Sequence, residues 1–472
     1  MLVKNSEYVA KIDNLGCNGE GICRIEGCAV FVPFALPEET VRLKIVKAKT
    51  SFAFGKLLEV IEPSKNRTES DCPVFYKCGG CNLRHLSYPE QLKFKGELVK
   101  NCFSSVAGIN VDCGDAISVG SPERYRNKLQ LPVRHTEKGN VIGFFREGSH
   151  DVIEISDCLI QKEWAAKLIR SLKKYLSLSG ESCFDEKTGR GNVKHLVARS
   201  ISDKLMITVV LTSERLKDLK LLIKVFSEEF DCFSLYLNVN KLNNNVIFGD
   251  RFFHVFGEKR FSETEDGIKF FIGSESFMQV NDEVRKRIYA DVCRFASAEK
   301  NSAIIDAYSG AGFLTANLAR YCESVYGVEI VKEAVECADE LAEINGLNGK
   351  MTNICGACEV VLPELVKKID EQGGITVVLD PPRKGVDEAV INAVKSVKPS
   401  KIIYVSCNPS TLARDIGLLT GKLYYDEKQL KKSETDSGEY EITYIKPYDM
   451  FPFTRHVETL VCLSKKQKNI LI

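Results

Sequence analysis

Residues 303–315 read AIIDAYSGAGFLT: an apolar run, an acid, two closely spaced glycines and a second apolar run. The first part has the length and content of a buried strand, and the glycines mark a tight turn into a helix. The same rhythm continues downstream. SVYGVEI (324–330), a short strand near Met351, ITVVLDPP (375–382) and KIIYVSCNP (401–409) follow in order, separated by helical stretches. Buried strands alternating with helices predict an α/β fold, a doubly wound Rossmann-like parallel sheet over residues 263–472.

Ligands of such sheets bind outside the carboxyl ends of the strands, so the residues there carry the chemistry. Gly310 and Gly312 let the backbone turn sharply and approach a ligand. Glu329 ends the next strand, 17 positions after Gly312, where a carboxylate accepts both hydroxyls of a ribose. A dinucleotide site carries a third glycine and rests a pyrophosphate on the helix N-terminus. Here Phe313 and Leu314 fill that stretch. S-adenosylmethionine has no phosphate and needs only the turn and the acid, so a methyl donor fits better. Asp380 emerges beside the expected cofactor, and Pro381 and Pro382 stiffen the turn that follows it.

Residues 404–415, YVSCNPSTLARD, put Cys407 on the last strand-to-helix turn. A helix N-terminus is expected to lower its pKa. Near the end of the chain, FTRHVETLVCL sets Glu458 at the start of an apolar run. A thiol and a carboxylate beside a methyl donor suit one reaction well. Carbon 5 of uracil is too weak a nucleophile to take a methyl group unaided. A thiolate added at carbon 6 makes it an enolate, and a base must then remove the carbon-5 proton. Cys407 fits the nucleophile and Glu458 the base. Most of the 18 cysteines, among them Cys102, Cys232, Cys293 and Cys337, read instead as small core residues.

Net charge is +1, from 65 basic and 64 acidic residues, so any polyanion-binding patch is local. MLVKNSEYVAKID has no apolar signal core, and no stretch approaches the ~18 apolar residues of a membrane span; a cytoplasmic monomer with reduced thiols is expected. The first 62 residues alternate in period two between frequent turns and read as a small OB-like β-barrel. Five basic residues (Arg42, Lys44, Lys47, Lys49, Lys56) with Phe52 and Phe54 suit single-stranded RNA there, as charges for phosphates and rings for bases, and fit a solvated strand edge with two core phenylalanines equally well. Residues 63–262 read as a central α+β RNA-binding domain with a helix from about Pro89 to Val106, which is read either as part of it or as packed on the C-terminal domain. Its YRNK segment (Tyr125–Lys128) is read either as an RNA contact or as a surface strand.

Taken together, these motifs resemble the RNA uracil carbon-5 methyltransferases of ribosomal and transfer RNA. GEGICRIEGCAVFVPFALPEETVRLKI resembles a TRAM domain, and FMQVN, DAYSGAG, DPPRKG, SCNPSTLARD and HVETL match in order. The resemblance implies that Gln279, Tyr308, Glu329 and Asp380 contact S-adenosylmethionine, with Cys407 as nucleophile and Glu458 as base. Tyr308 and Phe313 depart from members that have Phe and Asn there. The resemblance favours 23S ribosomal RNA as substrate, with a transfer-RNA T-loop uridine as the alternative. Arg383 is read either as a group that holds the flipped base or its phosphate or as a member of a surface salt bridge.

CPVFYKCGGC places Cys72, Cys78 and Cys81 with five and two residues between them. Three thiols so close in a loop suit zinc or an iron–sulfur cluster, and spacing alone does not choose. Family members with this pattern hold a [4Fe–4S] cluster with a fourth, distant cysteine, which the resemblance matches to Cys158 in SDCLIQ. Radical methylthiotransferases also combine a TRAM domain, three cysteines and S-adenosylmethionine, but with a CxxxCxxC loop. RNA cytosine carbon-5 methylation would want a second loop cysteine beside Asp380, and a purely RNA-binding protein would need neither Cys407 nor Glu458.

Overall fold

The computed structural model describes residues 2–137, 139–276, 278–297, 303–369, 374–433 and 438–466. Its C-terminal sheet has seven strands: β1 (Ala303–Ala307), β2 (Ser324–Glu329), β3 (Met351–Cys355), β4 (Ile375–Leu379), β5 (Lys401–Ser406), β6 (Tyr440–Tyr448) and β7 (Glu458–Lys465). They lie in the order 3-2-1-4-5-7-6. The first five are parallel. Every residue of β1 and β4 is buried, as expected where helices cover both faces.

β6 and β7 run antiparallel to their neighbours, where the sequence predicts only a parallel sheet. The reason is chain length. Residues 449–457 alone join β6 to β7, and a parallel crossover needs a dozen residues or more. Reversal puts the start of β7 at the carboxyl edge of the parallel strands. Ser406 pairs with Thr459, so Cys407 and Glu458 leave the ladder at the same end.

The N-terminal unit is a six-stranded sheet spanning Glu7 to Glu62, wrapped around Val30, Val32, Val41, Leu43, Ile45 and Ala53. Phe52 and Phe54 meet Phe31 as a half-buried cluster with ring centroids 5.5–5.9 Å apart, and Lys49 lies over Phe52. Arg42, one of the five cations, is paired with Glu59 at 2.8 Å. A second seven-stranded sheet comes between this unit and the C-terminal sheet in the chain, with helices Trp164–Ser179 and Leu219–Ser227 packed on it. It includes a fully buried strand, Val193–Ile201, that VKHLVARSI conceals. Its Lys, His and Arg break the apolar pattern that marks buried strands.

Helix α1 (Tyr88–Cys102) buries Val99, and Phe103 beyond its end, against the C-terminal sheet rather than the central one. Lys95, fully buried on α1, pairs with Asp449 in the β6–β7 loop, and Tyr88 Oη donates to the same carboxylate at 2.9 Å. Among the described residues no helix is long and apolar enough to cross a membrane.

Removing one partner of a buried ion pair leaves a charge stranded in the interior. Lys95→Ala is expected to cost roughly 3–5 kcal/mol in urea unfolding, whereas Lys95→Met combined with Asp449→Leu recovers most of that loss.

Candidate active site

Beyond β1 the chain turns through Tyr308 (φ +69°), Gly310 (+53°) and Gly312 (+80°). The Tyr308 and Ser309 amides donate to Val328 O at 2.9 and 3.1 Å, pinning this loop to β2. Glu329 accepts from the Gly310 amide at 3.1 Å and the Val331 amide at 2.9 Å, so its carboxylate is already oriented at the strand end. A Cβ at Gly312 would lie 2.7 Å from Ala338 Cβ and 2.8 Å from Met351 Cε, while one at Gly310 meets nothing within 4 Å. The loop is therefore closed on its protein side and open where a ligand approaches.

Three further acids gather along this edge beside Glu329. Asp306, in β1, is 1% exposed and accepts from Thr315 Oγ1 at 2.6 Å. Burial pushes it up to about 7 against that hydrogen bond, with Asp380 and Glu329 adding to the rise. Burial also pushes Asp380 up to about 7. Glu458 is raised well above the usual carboxylate range by burial and by Asp380, with Arg383 opposing. Its Oε2 is buried without a hydrogen-bond partner. An orphaned acceptor among acids that resist ionisation suits a cationic ligand such as a sulfonium, which would favour their charged forms.

Cys407 lies one residue outside the helix Pro409–Leu419, whose cap is Asn408, with Oδ1 accepting from the Ser410 amide at 3.1 Å. Its pKa is raised, not lowered as the helix N-terminus predicts. Burial and the charges of Glu458 and Asp380 push it up to about 11, against the Arg383 guanidinium, which donates to the thiol. At neutral pH the thiol is then protonated. The two loops are laced together: Asn408 Nδ2 donates to Arg383 O at 3.0 Å and Thr411 Oγ1 at 3.3 Å. His456, driven down to about 4 by burial and nearby cations, is neutral.

Gln279 is half-buried in a loop whose backbone is held from the central sheet. Asn127 Nδ2 donates to Gln279 O at 3.0 Å, and the Asn127 amide to Val280 O at 2.9 Å. YRNK is thus a tether, with Tyr125 and Asn127 buried, rather than a surface strand. Its Arg126 lines a cavity of about 50 Å³ that Cys72, Cys78, Cys81 and Cys158 also line. Burial and mutual repulsion raise Cys78 to about 11 and Cys81 to about 12. Even so, among the described residues no three His, Cys, Asp or Glu stand as a ligand set for a metal ion. The four thiols share one cavity without closing around a point.

Sequence reading missed Asp306, although an acid ending an apolar strand is a visible signal. It also missed Arg285, buried against Tyr289 and Phe313 and paired with Glu265 at 2.6 Å. Only the helix packing brings those residues together.

A family model described as tRNA (Uracil-5-)-methyltransferase matches residues 87–466, and one described as TRAM domain matches residues 3–58. An uncharacterized RNA methyltransferase of Halalkalibacterium halodurans is 37% identical over 470 residues, 98% of each chain. One of Bacillus cereus is 36% identical over 473 residues, 99% of this chain and 98% of the relative. Among solved structures, the Pyrococcus abyssi tRNA (uracil-54, C5)-methyltransferase in complex with S-adenosyl-L-homocysteine superposes with a TM-score of 0.75 at 25% identity, covering 96% of this chain and 99% of that one.

Gly312→Ala forces a side chain into the contacts with Ala338 and Met351 at a positive φ. It is expected to weaken S-adenosylmethionine binding about tenfold or more by calorimetry, while Gly310→Ala, strained but uncrowded, costs less.

Proposed function

From the premise that the chain belongs to the tRNA (uracil-5-)-methyltransferase family, we propose that it methylates carbon 5 of a uridine in 23S ribosomal RNA, in the cytoplasm, through a covalent Cys407 adduct. The chain is an S-adenosylmethionine-dependent RNA methyltransferase. The observation that carries the mechanism is the end-to-end register of β5 and β7, with Cys407 and Glu458 close enough for each carboxylate charge to raise the thiol's pKa.

Bound S-adenosylmethionine supplies an electrophilic methyl on a cationic sulfur, with Gln279, Tyr308, Glu329 and Asp380 as its contacts in this reading. Cys407 Sγ adds to carbon 6 of the flipped uracil, and the carbon 5–carbon 6 electron pair moves to an enolate at oxygen 4. Carbon 5 then takes the methyl group as the bond from methyl to sulfur breaks. Glu458 removes the carbon-5 proton, the double bond re-forms, and the carbon 6–sulfur bond breaks to return the thiolate. Arg383 holds the sulfur and offsets the two acids that discourage its ionisation. Extruding the base costs a few kcal/mol, least in a loop; the half-buried Phe31, Phe52 and Phe54 offer rings for neighbouring bases.

Cys72, Cys78, Cys81 and Cys158 would hold a [4Fe–4S] cluster. The four thiols line one cavity, which supports a shared metal group, and the family pattern makes it the cluster, with zinc as the alternative. A cluster with four cysteine ligands has no open iron and would be structural.

A transfer-RNA substrate is the second reading. It is favoured by the likeness to the Pyrococcus abyssi tRNA enzyme, which extends over 96% of this chain.

Methyl transfer from labelled S-adenosylmethionine to unmodified ribosomal and transfer RNA, with nucleoside analysis, separates the two substrates. Cys407→Ala is expected to abolish transfer and leave cofactor binding intact, and Glu458→Gln to trap a protein–RNA adduct. A Glu458→Gln enzyme turning over at the parental rate removes Glu458 from the base role. The pH profile follows from the raised groups: a base held above its usual range loses its proton as pH rises, and the Cys407 thiol ionises more in the same direction. Single-turnover rate is therefore expected to rise with pH and to keep rising into the alkaline range, with Asp380 losing its own proton at about 7. Iron and acid-labile sulfide, assayed on anaerobically purified protein, test the cluster; stoichiometric zinc in their place overturns it.

A further inference from the structure

Residues 449–457 deliver Glu458 to the sheet edge, and groups from the N-terminal half grip this loop. Phe453 is its anchor. It adopts φ +64°, a conformation that is strained for a bulky side chain and persists only where surroundings impose it. Its carbonyl accepts from the amides of both Asn82 and Leu83 at 3.0 Å, the two residues after Cys81. Its amide donates to Gln91 Oε1 on α1 at 3.1 Å. Its ring packs with Tyr125 and Ile160, against Cys81 and Cys158, under the Arg84 guanidinium at 4.2 Å. The Phe451 carbonyl accepts from Lys95 Nζ at 3.0 Å. Four residues without regular structure separate Phe453 from Glu458, whose backbone pairs with Tyr448 in β6, so the anchor sets where the loop enters β7 and acts on the carboxylate at that entry.

We infer that Phe453 is a positioning residue, a latch through which the loop after Cys81 and helix α1 set the place of Glu458 relative to the substrate's carbon 5. The inference rests on the reading of Glu458 as the base. The latch acts on the proton-removal step, because Cys407 and Arg383 are held by other contacts, from Asn408 and Thr411. Releasing it lets the thiol add and the methyl group transfer, but leaves the carbon-5 proton in place and the carbon 6–sulfur bond unbroken.

The test compares Phe453→Ala, Phe453→Tyr and Gln91→Leu with the parental full-length protein and Glu458→Gln, on unmodified ribosomal and transfer RNA. Gln91→Leu frees the Phe453 amide and keeps the ring, so it decides the matter where Phe453→Ala does not fold. Misplacing a catalytic group by about 1 Å costs on the order of 10–100-fold in kcat. That loss is expected for Phe453→Ala and Gln91→Leu, with KM for S-adenosylmethionine changed by less than about twofold. A covalent protein–RNA band should accumulate on denaturing gels, and Phe453→Tyr should restore turnover. Slow turnover of the folded variants without the adduct, while Glu458→Gln does accumulate it, overturns the latch and leaves the base assignment standing. Parental turnover by Glu458→Gln overturns the base assignment instead.

Discussion

The antiparallel pairing of β7 with β5 is the constraint on which the site depends. Nine residues between β6 and β7 are too few for a crossover back to the amino edge. β7 must therefore enter the sheet at the carboxyl edge, where the five parallel strands end. Insertion between β5 and β6 then sets Glu458 beside the turn that carries Cys407. Had β7 run parallel, the same residue would have emerged at the opposite edge, a strand's length from the thiol.

That edge is electrostatically unsettled. Asp306, Asp380 and Glu458 are all held above the ordinary carboxylate range, and the thiol beside them is held far from ionisation. Each resists charge for the same reason, burial among like charges. A cation arriving at the edge relieves the acids together. The exposed guanidinium of Arg383 is the nearest relief the protein itself offers, and its carbonyl is fastened to the Cys407 turn by Asn408. Cation and thiol are thus fixed to each other across two loops.

The N-terminal half does more than present a binding surface. α1 packs on the C-terminal sheet and buries Lys95 against Asp449. The YRNK segment reaches in both directions, toward Gln161 by the cysteine cavity and toward Val280 and Asn281. The cysteine loop, the cofactor-side loop and the loop before Glu458 are in this way braced by one set of contacts.

Much of this was legible in one dimension. The parallel strands show as apolar runs, the glycine turn and Glu329 fall in register, and Cys407 and Glu458 each end or begin a strand. These are local patterns, set by backbone conformation and the burial of successive residues. What remained hidden depends on pairs distant in the chain. Val193–Ile201 escaped because its cations are buried by tertiary contacts that no local pattern records. The Cys407 pKa went the other way from the helix expectation because burial, reinforced by Glu458, 51 positions on, and by Asp380, outweighs a helix that starts one residue too late. The sequence by itself determined the fold class, the turn chemistry and which side chains are present to react. Only the tertiary structure decided the direction of β7, the grip on Phe453 and the charge each group carries, because those follow from separation in space and exclusion of water.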